Sequence, residues 1–77
     1  QSKAYAVVEP VLTEEELAAL KRGRNISSIK PPKNGTMQDY RRATGLECLF
    51  GYLYLKGEIQ RINELFLMIE EHLEQGE

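Results

Sequence analysis

The sequence predicts an all-α fold, on three observations. Apolar positions step by threes and fours, as in Leu17 and Leu20 and again in Ile59, Ile62, Leu65, Phe66, Ile69 and Leu73, which is the spacing of a helix face. Two Thr-x-x-acid patterns, Thr13 with Glu16 and Thr36 with Asp39, have the form of helix starts. No stretch alternates apolar with polar, and the one β-flavoured cluster, Tyr52 to Leu55, sits inside a helical run.

The elements follow in order. Residues 2–11 (SKAYAVVEPV) read as the end of a helix broken near Pro10, because proline removes a donor and disfavours helix at Glu9. A second helix spans 13–24. Thr13 and Glu16 form its capping box, Glu14 to Glu16 sit where the dipole favours negative charge, and Lys21, Arg22 and Arg24 sit at the other end, with Gly23 as a stop. Residues 25–36 carry a Ser pair, a Pro pair and Asn34-Gly35, so turn chemistry makes them a loop. A loop of this length between helices is long for a small domain, and such loops often serve function. A third helix is predicted over 37–56, interrupted by Gly57, and a fourth over 58–74, with Arg61, Glu64, Glu70, Glu71 and Glu74 on its outer side.

At 77 residues the chain holds at most one small domain, and a domain of this size buries only about 60% of its unfolded surface. The lone Cys48 excludes an internal disulfide framework and favours a reducing compartment. No stretch nears the roughly 20 consecutive apolar residues of a membrane span. The chain begins with Gln1 in what already reads as helix, so it is expected to be part of a longer protein. Its net charge of -2 conceals a division: residues 21–42 hold seven basic residues against Asp39 alone, and the remainder holds three against eleven acids. A positive field concentrated in 22 residues is the usual footprint of a polyanion site.

Residues 43–55 (ATGLECLFGYLYL) are apolar, small or aromatic except for Glu47. A carboxylate in such a helix is costly to bury unless neutralised, paired or bound to a cation. Tyr40, Thr44, Glu47, Gly51 and Tyr54 share one helical face, where Gly51 permits close approach. A buried or half-buried carboxylate beside a phosphate site suits a hard cation such as Mg2+. At least one further carboxylate must then come from elsewhere, since Asp39 is better explained as a cap.

LTEEELAALKRGRN (12–25), PKN (32–34) and YRRATGLECLFGYLYLKG (40–57) resemble the C-terminal half of the mini-ribonuclease III family, the compact members of the ribonuclease III superfamily that lack a separate double-stranded-RNA-binding domain. The resemblance covers about residues 2 to 70. It implies a helical nuclease domain, of which only the C-terminal part is present, and a homodimeric, Mg2+-dependent endonuclease acting on double-stranded RNA. In bacteria and organelles the family typically acts on ribosomal RNA precursors, so the implied location is the cytoplasm or an organellar stroma. Glu47 falls on the family's metal-binding glutamate and would be catalytic, with Thr44 and Gly51 supporting it. Lys21, Arg22, Arg24, Asn25, Lys33, Asn34, Tyr40 and Arg41 fall at positions that hold RNA. Ile26-Ser27-Ser28 depart from the usual small residue and Lys-Ser, Arg42 replaces a common aromatic, and the family's aspartate-bearing N-terminal helices are not among these residues.

Each assignment has a plainer rival. Glu47 could pair with a neighbouring arginine; Lys21, Arg22 and Arg24 could only offset the helix dipole; Asn25 could be a cap and Asn34-Gly35 a turn. Tyr40, Tyr52 and Tyr54 read as core or dimer-contact aromatics, His72 as solvated, and Cys48 as a small core residue. Three functions stay open: an endoribonuclease, a non-catalytic RNA-binding relative, and a helical module docking its 37–55 segment in a partner.

Overall fold

The computed structural model describes residues 2–26 and 36–75, and these fold into four α-helices with one 3-10 turn. Helix α1 (Ser2–Val8) is followed by the 3-10 turn Glu9–Val11, α2 (Glu14–Arg24), α3 (Met37–Leu55) and α4 (Ile59–Gln75). No strand occurs among the described residues, so the predicted all-α class holds. Residues 27–35, including Lys33 and Asn34, lie outside them.

Local chemistry sets each boundary. Pro10 tightens the chain after α1 into the 3-10 turn, since it cannot donate to an α-helical ladder. At the start of α2, Thr13 Oγ1 accepts from the Glu16 N–H (3.2 Å) and the Thr13 N–H donates to Glu16 Oε1 (3.0 Å), a reciprocal capping box. Helix α3 begins with Thr36 Oγ1 accepting from the Asp39 N–H at 3.0 Å. It ends at Gly57, whose φ of 77° is a left-handed conformation that glycine adopts at little cost. There the N–H groups of Gly57 and Glu58 donate to the carbonyls of Tyr54 (3.0 Å) and Leu53 (2.9 Å), a Schellman closure that satisfies two orphan acceptors.

The core lies where α1, α2, α3 and α4 meet. Val8, Leu20, Leu49 and Leu65, one from each helix, are fully buried, and Tyr5, Leu46 and Leu53 close around them. Full burial of such a side chain contributes about 1.5–3 kcal/mol. Helices α2 and α3 approach unusually closely because glycine stands on both sides. A Cβ on Gly23 would lie 2.7 Å from Cys48 Cβ and Sγ and 2.8 Å from the Thr44 carbonyl oxygen, and one on Gly45 would lie 2.8 Å from the Leu20 carbonyl oxygen.

Two expectations are corrected here. Gly23 is a buried residue inside α2 and not a stop; the helix runs on to Arg24 and is capped by Asn25, whose N–H donates to the Lys21 carbonyl at 2.9 Å. Of the two readings given for the tyrosines, core or dimer contact, the core is excluded for Tyr40 and Tyr54, which are exposed, and Tyr52 is half-buried with its hydroxyl donating to Glu15 Oε1 at 3.2 Å. Cys48 does pack at the Gly23 crossing as a small residue.

Candidate nucleic-acid interface

The basic residues of the α2 terminus divide into two groups. Lys21 and Arg22 are exposed on the last turn of α2, where positive charge also offsets the negative end of the helix dipole. Arg24 turns inward, donating from Nη1 to the Tyr5 hydroxyl (2.9 Å) and from Nε to Asn25 Oδ1 (3.2 Å). Across from it, Arg41 of α3 donates from Nη1 to the carbonyls of Arg24 (3.2 Å) and Ile26 (3.1 Å). Both acceptors lie at the C-terminus of α2, where helix carbonyls otherwise lack partners. Arg42 stands over the Tyr5 ring, its guanidinium carbon 5.6 Å from the centroid, within cation–π range. These side chains, with Glu9, Met37 and Gln38, line a cavity of about 630 Å3.

Glu47 lies elsewhere. It borders a second, mainly apolar cavity of about 340 Å3 between α1, α3 and α4, walled by Ala4, Ala43, Leu46, Phe50, Phe66 and Ile69. Phe50 and Phe66 stack in it at 4.6 Å between centroids. The carboxylate was expected to be buried or half-buried; it is exposed, although Leu46 beside it is buried and lines the same cavity. Among the described residues it makes no hydrogen bond or ion pair. Thr44, one turn back, donates its hydroxyl to the Tyr40 carbonyl at 3.0 Å, and nothing lies within 4 Å of where a Cβ on Gly51 would stand. On the face predicted to hold Tyr40, Thr44, Glu47, Gly51 and Tyr54, all but the half-buried Thr44 are exposed. Arg24, Arg41 and Arg42 line the other cavity. No cluster of three or more potential metal-ligating side chains occurs among the described residues. A lone carboxylate suits Mg2+ as one of the one or two carboxylates that such an ion takes beside waters and phosphate oxygens, and it is not a cage by itself.

The acid that is buried and locked to a guanidinium is Glu16. Its Oε2 accepts from Arg61 Nε and its Oε1 from Arg61 Nη2, each at 2.9 Å, with side-chain exposures of 8% and 25% for the glutamate and arginine. The Arg61 hydrogen bonds hold the Glu16 carboxyl below the usual carboxylate range, against the opposing push of burial. Arg61 also donates to the Val11 carbonyl (3.0 Å) and to Glu64 Oε1 (3.1 Å). The spacing along α4 placed Arg61 on the outer side, and the structure overturns that. Its partner lies 45 residues away, so periodicity within α4 gave no sign of it. Tyr5 in the larger cavity was missed for the same reason, since only the packing of α1 against α3 brings it to Gln38 and Arg42, which stand one turn apart on α3.

A helical half-layer with a basic α2 terminus and a solvent-facing glutamate on α3 is the frame in which family comparisons become meaningful. The ribonuclease III domain family matches residues 1–58, and the chain belongs to it. Within that family it is similar to the mini-ribonuclease 3 of Clostridium tetani (44% identical over 69 residues, covering 90% of this chain and 46% of that protein). It is similar also to those of Brevibacillus brevis (48% identical, 84% and 48%) and Enterococcus faecalis (49% identical, 71% and 42%). The chain spans about half the length of these curated relatives. No solved structure matches it.

Proposed function

We propose that this chain is the glutamate-bearing, RNA-contacting part of a metal-dependent endoribonuclease that cleaves double-stranded RNA, with ribosomal RNA precursors as its substrate, acting as a homodimer in the cytoplasm. The observation that carries the reading is Glu47. In a domain of the ribonuclease III family, this carboxylate is exposed and without a partner among the described residues, whereas the buried Glu16 is fully engaged by Arg61. An exposed carboxylate needs no partner, so what supports a function for Glu47 is the family together with its place as the single acid of residues 43–55.

In this mechanism Glu47 contributes one oxygen ligand, direct or through water, to a divalent cation such as Mg2+. The chemistry such a cation supplies, when bound, is activation of water and neutralisation of charge developing on the scissile phosphate. Thr44 and Gly51 keep the flanking turns of α3 small, so that a phosphate backbone can approach. Lys21 and Arg22, with Lys33, Asn34 and Tyr40, locate the duplex by backbone contacts, which position RNA without reading sequence. Arg24, Asn25 and Arg41 set the shape of the α2 terminus from which that surface extends.

The test is Glu47→Gln in the full-length protein. Cleavage of a duplex RNA in Mg2+ is expected to fall by at least about a hundredfold, with duplex affinity within about threefold of the parent. Duplex binding with no cleavage by the unmutated protein at any Mg2+ concentration would favour the binding-only relative instead. Its steep salt dependence would then report the phosphate contacts alone.

A further inference from the structure

The Glu47 face leaves the larger cavity unexplained. That cavity, about 630 Å3 between α1, the end of α2 and the first turns of α3, falls within the roughly 300–1,000 Å3 of sites that enclose small molecules. Among its described lining residues the charge is one-sided: Arg24, Arg41 and Arg42 stand with the carboxylate of Glu9. A concave site of one sign focuses its field and concentrates counter-ions.

Two of its guanidiniums are held in place by neutral oxygens. Arg24 is fixed by the Tyr5 hydroxyl and the Asn25 amide oxygen, and Arg41 by two backbone carbonyls. These partners orient the cations without cancelling their charge. A guanidinium has five N–H donors in a planar fork, so Nη2 of Arg24 and both Nε and Nη2 of Arg41 keep donors beyond these bonds among the described residues. Fixed cations with spare donors suit a phosphate, which accepts from arginine in a bidentate manner. The cavity is larger than a bare ion needs. The exposed amides of Asn25 and Gln38 and the half-buried Met37 stand beside the arginines, offering hydrogen-bonding groups for a base edge and an apolar wall.

We propose that this cavity binds a nucleoside monophosphate unit, with the phosphate between Arg24 and Arg41 and the nucleoside against Asn25, Gln38 and Met37. The proposal rests on the nuclease reading only in that a terminal nucleotide of RNA is one source of the unit; a free mononucleotide is the other.

Titration of the full-length protein with adenosine 5'-monophosphate, followed by amide NMR shifts, tests it. Binding at sub-millimolar concentration is expected to move resonances of Tyr5, Arg24, Asn25, Gln38 and Arg41, with adenosine and inorganic phosphate each at least tenfold weaker. Arg24→Gln should weaken the nucleotide by tenfold or more. Glu9→Gln, which removes the opposing charge among the described lining residues, should tighten it severalfold, a gain that damage to the fold cannot produce. Equal affinity for nucleotide and adenosine, or a Glu9→Gln variant with no gain, overturns the proposal. Hairpin RNAs bearing a 5'-phosphate or a 5'-hydroxyl separate the sources: a tenfold gap assigns the RNA end, and equal affinity alongside nucleotide binding assigns the free nucleotide. A full-length protein that cuts duplex RNA but binds no mononucleotide loses this site and keeps the nuclease reading. One that binds the nucleotide and cuts nothing does the reverse.

Discussion

Glu16 serves two elements with one carboxylate, and its energetics follow from that. It closes the capping box of α2 through Thr13 and accepts both forks of Arg61 from α4. Removing one partner of a buried pair is worse than never having had it, because the remaining charge loses its solvation without compensation. With Arg61 a quarter exposed, water relieves part of that cost, so Arg61→Ala is expected to destabilise the chain by about 2 kcal/mol, read by urea unfolding at neutral pH. The pH dependence has a definite sign. The Glu16 carboxyl is lowered below its ordinary 4.5, so its stabilisation is complete above about pH 4.5 and is lost as pH falls through the lower folded-state value. Between neutral pH and pH 3, Arg61→Ala should therefore lose less stability than the parent. An identical acid slope in both proteins would remove this pair from the explanation.

At the scale of elements, glycine does opposite things at two positions. Gly23 sits where α2 touches α3, and a methyl there would meet Cys48 Cβ and the Thr44 carbonyl oxygen at under 3 Å. Alanine gains about 1 kcal/mol in helix propensity, but backbone cannot yield as a flexible side chain can. Gly23→Ala is thus expected to destabilise by about 2 kcal/mol or more, as overpacking does. At Gly51 nothing stands in the way, and Gly51→Ala should raise stability by about 0.5–1 kcal/mol. Both values come from thermal melts followed by circular dichroism. The same contrast shows what the sequence could reveal. Helix starts were legible because a cap is local chemistry: Thr13 and Thr36 each bond a residue three positions on. Gly23 looked like a stop because a helix-ending glycine and a helix-crossing glycine are the same residue in a string, and only the partner helix distinguishes them. Glu47 was legible as an exceptional residue but not as an exposed one, since an apolar stretch does not tell which of its positions stand at the rim of the packing. Arg61 was misplaced because the spacing along α4 reports one helix and not what lies across from it.

The molecule as a whole measures 33 × 33 × 17 Å, a slab about two helices thick, given helix axes 8–10 Å apart. A slab so thin buries little on its outer sides, and Tyr54, Leu55, Ile59, Phe66, Leu67 and Leu73 remain exposed, Leu55 by 85%. Ile59, Phe66 and Leu73 recur every seven residues and so share a stripe of α4. Apolar area gathered in this way drives association, because each side chain removed from water is worth about 25 cal/mol per Å2. The chain on its own is therefore expected to associate as its concentration rises, measured by sedimentation velocity. Leu55→Lys with Leu67→Lys should weaken that association by tenfold or more. Neither side chain belongs to the buried core, so urea unfolding of the double variant should stay within about 0.5 kcal/mol of the parent. Association unchanged by the two lysines would show that the contact uses another surface, and the Ile59, Phe66 and Leu73 stripe would be the next to vary.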